Sequence, residues 1–234
     1  KNTAEFIQYW FAPKQRRALG RLAWVLHTIP AFSDGSSEAN AIRLALSKLI
    51  ITKDVGASLG RDISHSRPHR VADSNDFDVF EELRTSATRL KARLAKNSPG
   101  IRPTIRNADA RSLPWIRDQS IDMILTSPPY LNAIDYMRGH RLSLVWQGYN
   151  LSTLRNIRSN SIGAERSLDV RAKTEELLKI QNALGKIDSL PTKHQNMIVR
   201  YCLDLMLVAK QTSRVLKKSG RAVFVIGNSC LKGV

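Results

Sequence analysis

The stretch Asp118 to Tyr136, DQSIDMILTSPPYLNAIDY, most constrains what this chain can fold into. Its first half, Ile121-Asp122-Met123-Ile124-Leu125-Thr126, is a short apolar run rich in β-formers, with polar residues before it and two prolines after it. Such a run predicts a buried strand of a parallel sheet. Ser127-Pro128-Pro129-Tyr130 neither prolongs a strand nor starts a helix freely. Two prolines fix φ, remove two N–H donors and restrict the residue before each of them. A stiff loop therefore leaves the carboxyl end of the strand, where open α/β sheets place their ligands.

The residue types in this loop suit one chemistry. An exocyclic amino nitrogen on a base is a poor nucleophile, because its lone pair is delocalised into the ring. Acceptors aimed at the amino hydrogens hold the group and favour pyramidalisation, which turns the lone pair toward an electrophilic methyl. The Ser127 hydroxyl and the Pro128 main-chain carbonyl are candidate acceptors. Tyr130 is a candidate stacking surface for a base flipped out of a duplex. The plain alternative is a proline-rich turn with a packing tyrosine.

On Ser127-Pro128-Pro129-Tyr130 the chain resembles the amino-methyltransferases of DNA, whose motif at a strand end is [S/D/N]-P-P-[Y/F/W]. The resemblance implies an α/β fold with an incomplete Rossmann-like class I methyltransferase core, S-adenosylmethionine as methyl donor, and Ser127, Pro128, Pro129 and Tyr130 as catalytic residues. Serine at the first position is more typical of the cytosine-N4 enzymes, so cytosine N4 stands ahead of adenine N6. A second point of likeness is Thr104-Ile105-Arg106, a short strand candidate, followed by an acidic loop. In many enzymes of this fold an acidic residue there accepts from the adenine amino group of the cofactor, and Asp109 is the matching position. A third is RVLKKSGRAVFVIGN, which resembles the helix-to-strand step after the catalytic strand. The likeness covers roughly residues 101–148 and 197–234.

The rest of the chain divides by composition. Residues 1–100 read as a helical region, with apolar stripes such as Leu19, Leu22, Leu26 and Ile29, interrupted at 52–76 by an exposed loop with a basic tip carrying Arg61, Arg67 and Arg70. Gly56 and Gly60 lack the spacing of a cofactor glycine loop. Residues 101–149 hold the catalytic strand, its loop and a helix from Asn132 to Trp146 that Gly148 can close. Residues 150–196 form a basic insertion, irregular over Asn156 to Ser167 and helical over Glu175 to Leu184. Its Arg155, Arg158 and Arg166 are candidate nucleic-acid contacts. Residues 197–234 return to the core, with a long amphipathic helix stopped by Gly220 and a strand at 222–227.

Net charge narrows the partner. The 234 residues carry 37 Lys+Arg against 20 Asp+Glu, formally +17. A surplus this large points to a polyanion, and DNA is the first candidate. No basic amphipathic helix with an aromatic apolar face suggests a membrane surface. The two cysteines, Cys202 and Cys230, lack a CxxC neighbour, so neither a metal site nor a disulfide framework is expected, and a reducing cytoplasmic compartment fits. The chain opens on Lys1 rather than methionine, so the expectation is that the natural protein starts further upstream.

Set against the resemblance, one part is missing. No glycine-rich turn of the form DPFxGxGT occurs, and Gly227 to Gly233 lacks both the preceding acid and the GxG spacing. Three explanations stay open: a fragment, a split enzyme whose cofactor half sits on a second polypeptide, or a non-catalytic DNA-recognition subunit. Methylation of RNA is a further alternative for the same loop type.

Overall fold

The computed structural model describes residues 2–30, 35–61, 68–96, 100, 103–131, 136–164, 179–180, 182–183 and 186–227. They form two units, residues 1–102 with 135–158 and residues 103–134 with 159–234. The architecture is mixed α/β, mostly helical, with two small sheets among the described residues.

The first unit is built from α1 (Thr3–Trp10), α2 (Pro13–Thr28), α3 (Ser37–Ile50), α4 (Val79–Lys96) and α5 (Tyr136–Leu144). A 3-10 turn at Val145–Gln147 and α6 (Leu151–Asn160) follow, and the last residues of α6 lie across the boundary in the second unit. Each start has a local cause. Asn2 accepts from the Glu5 amide while the Glu5 carboxylate accepts from the Asn2 amide, a reciprocal capping box. Pro13 opens α2 at a position whose N–H would lack a partner anyway. The Ser36 hydroxyl accepts from Ala39 and caps α3. The apolar stripes meet in one core of Phe6, Trp10, Phe11, Leu19, Leu26, Leu46, Ile50, Leu142 and Trp146. Gln15 is fully buried, and its amide donates to the Asn75 and Phe77 carbonyls at 2.9 Å each, tying the loop before α4 to α2.

Two expectations need correction in this part of the chain, and a third is only partly covered by the described residues. The 52–76 segment is not purely loop: β1 (Gly60–Arg61) and β2 (His69–Arg70) pair antiparallel. Gly60 is there for packing, since a Cβ would lie 2.7 Å from the Trp10 ring. The predicted helix from Asn132 begins at Tyr136 among the described residues, residues 132–135 lying outside them. Asn156 to Asn160, predicted irregular, is helical, because the Asn150 side chain accepts from the Thr153 amide at 2.8 Å and Leu151 and Leu154 are buried. Of the predicted helix at 175–184, only 179–180 and 182–183 are described, and these are helical.

The second unit holds β3 (Ile121–Thr126), β4 (Leu216–Phe224), α7 (Thr192–Val215) and a 3-10 turn at Lys186–Ser189. β3 and β4 run parallel, as the apolar run predicted, with Ile124 opposite Ala222 and Thr126 opposite Phe224, but β3 is not the buried strand expected: none of its residues is buried, because it pairs on one side only among the described residues. Two boundaries differ from expectation. The long helix ends at Val215 rather than Gly220, and the strand starts at Leu216 rather than Ala222. The reason is an irregular step: Ile121 pairs with Leu216 and Met123 already with Arg221, so Lys217 to Gly220 lie opposite the single residue Asp122. A Cβ on Gly220 would lie 3.1 Å from the Ile121 carbonyl, so a glycine lets the strands approach there. The strand predicted near 104–107 is not formed: that segment has no strand partner among the described residues, and Ile105 is 88% exposed.

Gly148 closes the helical turn after α5 at φ 89°, and a Cβ there would sit 2.8 Å from the His27 ring. Gly148→Ala is expected to cost about 1–3 kcal/mol through backbone strain and displacement of His27. Gly20 lies within α2 with open space around it, so Gly20→Ala is expected to gain about 0.5–1 kcal/mol. Urea unfolding of both variants checks this, with opposite shifts in midpoint at an unchanged slope.

Candidate active site at the carboxyl end of strand β3

The pairing of β3 with β4 continues to its last residue, the Val225 amide donating to the Thr126 carbonyl at 2.9 Å. Ser127-Pro128-Pro129-Tyr130 therefore leaves the sheet at a fixed point beside the exit of β4. Ser127 is exposed, Pro128 buried and Tyr130 half-buried. The Tyr130 hydroxyl lies 3.3 Å from the Val225 carbonyl and 3.3 Å from Ser127 Oγ. With the phenol proton given to Val225, the serine donates to the phenol oxygen and keeps its own lone pairs outward.

Glycines let this loop sit close to its surroundings. A Cβ on Gly227 would come within 3.1 Å of Tyr130 Cε2, and one on Gly163, at φ 78°, within 3.3 Å of the Tyr130 carbonyl. From α7, the Tyr201 hydroxyl donates to the Pro129 carbonyl at 2.9 Å. Burial pushes the Tyr201 phenol up, with smaller contributions from Cys202 and Tyr130, so it remains a donor at neutral pH. Among the described residues the Pro128 carbonyl accepts no hydrogen bond. Ser127 Oγ is thus an exposed acceptor and the Pro128 carbonyl, on a buried residue, an unbonded one among the described residues, whereas the Pro129 and Val225 carbonyls each already accept one bond.

Asp109 is placed differently from a free acceptor. Arg111 grips its carboxylate with Nε and Nη2 at 3.0 and 2.7 Å, and the Arg111 amide adds a third bond at 2.9 Å. That guanidinium holds the Asp109 carboxyl below the usual carboxylate range, and the two carboxylates around Arg111 raise its own pKa. The second carboxylate is Asp204 of α7, 7% exposed, which accepts from Arg111 Nη1 at 2.6 Å. Arg111 also donates to the Asn160 carbonyl at 2.9 Å. The Asp109–Arg111–Asp204 clip fixes the loop ahead of β3 to the helix behind it. Its partner Arg111 had no signal in the sequence beyond an Asp-x-Arg spacing.

The basic candidates are spread out. Arg155 is exposed on α6 and Arg158 is half-buried there. Arg61 is exposed on β1, while Arg70 pairs with Asp73 at 2.9 Å and lies over the Tyr9 ring. Arg67 and Arg166 fall outside the described residues. Among the described residues no three His, Cys, Asp or Glu side chains are grouped to hold a metal, and no helix is long and apolar enough to cross a membrane.

No family model matches the sequence, and no solved structure does. Over 97 residues the chain is 27% identical to the type II methyltransferase M.BsoBI of Geobacillus stearothermophilus. That match covers 39% of this chain and 19% of the relative. This distant, partial similarity points to the methyltransferases, in agreement with the strand-end loop.

The buried clip sets a stability expectation. Asp204→Asn leaves the half-buried Arg111 with one charged partner fewer at the buried end of the clip, at a cost of about 1.5–3 kcal/mol. Asp118→Asn, at the largely exposed ion pair with Arg214, is expected to cost less than about 1 kcal/mol. Equilibrium denaturation of the two variants compares them directly.

Proposed function

We propose that this chain carries the target-base side of a DNA methyltransferase acting on an exocyclic amino group, cytosine N4 ahead of adenine N6. The observation that supports this best is the acceptor arrangement of the Ser127 to Tyr130 loop. At the carboxyl end of a parallel strand, Ser127 Oγ and the Pro128 carbonyl are left to accept while the neighbouring carbonyls are already bonded. Two acceptors on one amino group draw its hydrogens into their plane and free the nitrogen lone pair for attack. A half-buried tyrosine next to them suits a flipped base, which gains stacking in place of its duplex neighbours. The partial likeness to a type II methyltransferase agrees.

S-adenosylmethionine would supply the methyl group as an electrophile. The described residues do not make a complete site for it. No strand among them leads into a glycine-rich turn, and the Asp109 carboxylate spends its lone pairs on Arg111, so an adenine contact there requires Arg111 to move. The proposal accordingly rests on Ser127, Pro128, Pro129 and Tyr130, and places the rest of the cofactor site on other protein, a second polypeptide or further residues of the same one. A non-catalytic DNA-recognition subunit is the alternative that the +17 charge favours, and RNA is the alternative substrate.

Ser127→Ala removes one of the two acceptors. Methyl transfer to unmethylated duplex DNA is expected to fall on the order of 10²-fold, with DNA affinity changed less than about threefold. Tyr130→Ala is expected to lower both, since stacking contributes about 1–3 kcal/mol. Equal loss of binding and transfer in Ser127→Ala would argue for a recognition subunit instead. Labelled-cofactor assays on DNA and RNA, alongside binding isotherms, separate these outcomes.

Binding itself is expected to weaken steeply with salt, because phosphate contacts release counterions. Replacing Arg155 and Arg158 with glutamine is expected to flatten that dependence by about one unit of logarithmic slope for each phosphate no longer neutralised. Titrations between about 50 and 200 mM salt measure it, and unchanged slopes would remove α6 from the interface.

A further inference from the structure

We propose that Tyr201 is a positioning residue for the Ser127 to Tyr130 loop: its hydroxyl, held on α7, ties down the Pro129 carbonyl and so sets which acceptors the loop presents. This inference rests on the methyltransferase reading for its functional meaning, but its structural part stands on geometry alone. The bond is 2.9 Å, reaches across 72 residues of sequence, and joins a helix to the middle of the loop.

The reason such a tether matters lies in the prolines. Pro128 and Pro129 contribute no N–H, so the loop has no amide of its own at those positions to anchor it. Its φ angles are fixed by the rings, but its ψ angles are not. A rotation about ψ of Pro128 swings the peptide between the two prolines and redirects the Pro128 carbonyl. Three contacts oppose that. The Tyr130 hydroxyl is at the Val225 carbonyl, the Tyr130 ring lies against Gly227, and Tyr201 holds the Pro129 carbonyl. Only the last acts on the proline segment directly.

The tether also removes a competitor. Pro128 and Pro129 offer adjacent carbonyls of nearly equal basicity. An amino group placed between them would be held in two orientations, one of them unproductive. With Pro129 already accepting from Tyr201, the Pro128 carbonyl and Ser127 Oγ remain. Tyr201 touches neither base nor methyl donor in this account. It acts through the loop.

The test uses Tyr201→Phe, which keeps the ring and its packing and deletes only the hydroxyl. The first readout is the backbone order of the loop in the full chain, by ¹⁵N relaxation at the Tyr130 and Leu131 amides. Order parameters near the rigid value of about 0.85 are expected in the parent, and below about 0.6 in the variant. Equal order in both proteins would overturn the inference. The second readout is methyl transfer from labelled S-adenosylmethionine to unmethylated mixed-sequence duplex DNA, with rates taken per active site from single-turnover amplitudes. A fall in kcat on the order of tenfold, with KM for DNA within about twofold, is the expected split for lost orientation. An unchanged kcat would overturn it. A merely structural role lowers the amplitude and the thermal midpoint and leaves loop order and kcat per active site as they were. If the parent, assayed together with the protein that completes its cofactor site, transfers no methyl to DNA, the methyltransferase reading fails, and the relaxation data still decide whether Tyr201 holds the loop.

Discussion

The parallel pairing of β3 with β4 is the constraint on which the candidate site depends. Parallel strands cannot be joined by a short turn, so the chain must leave β3, cross, and return through a helix before β4 begins. That requirement places α7 immediately before β4 and sends both strands out at the same end of the sheet. Ser127 and Val225 thereby become neighbours although they are far apart in the chain. The Tyr130 hydroxyl reaches the Val225 carbonyl, and the Tyr201 hydroxyl the Pro129 carbonyl, only because of this alignment. A slip of one residue would reverse every side chain on β3 and carry the loop away from both.

The two units are stabilised by different means. In the first, apolar side chains from six helices and the 3-10 turn between α5 and α6 share one core, and the buried Gln15 has its amide donor satisfied. In the second, the two-stranded sheet leaves Met123 59% and Leu125 70% exposed, so burial contributes little at those positions. Guanidinium clips hold its parts instead. Arg111 joins Asp109, Asp204 and the Asn160 carbonyl, and Arg214 donates to the Ile116 and Leu113 carbonyls at 2.9 and 2.7 Å beside its ion pair with Asp118. Arginine suits this task, since its planar fork satisfies several acceptors at once without losing its charge.

That difference explains what could be read from the residues alone. Helical stripes such as Leu19–Leu22–Leu26 announce themselves by spacing, and Ile121 to Thr126 by its β-rich apolar run before two prolines. The parallel relation of β3 and the strand after it followed from the same pattern. The start of β4 did not, because Lys217-Lys218-Ser219-Gly220 has the composition of a helix end. Only its pairing partner, with a register step between Ile121 and Met123, makes it a strand. Thr104 to Arg106 has strand propensity but no neighbour to pair with among the described residues, and propensity without a partner does not make a strand. The clips were invisible for a related reason: Arg111 and Asp204 are 93 residues apart, and no local pattern marks two charges that meet through topology.

Hydrogen-bond capacity gives the loop its chemical character. Two successive prolines leave a chain segment rich in acceptors and poor in donors, which is an unstable balance unless other residues supply the hydrogens. Here two phenols do so, each from a different element: Tyr130 from within the loop and Tyr201 from α7. Both are directed to carbonyls that a ligand would otherwise find, those of Val225 and Pro129. The serine hydroxyl can serve in either sense, and with the Tyr130 hydroxyl donating to Val225 it is left to donate to the phenol oxygen. What remains at the two prolines and the serine side chain is rich in acceptors. Such a surface favours a ligand group with two hydrogens on one atom and disfavours a carbonyl or a phosphate oxygen, which would meet like partial charge. An amino group on a base meets that requirement, whereas the phosphate backbone beside it does not.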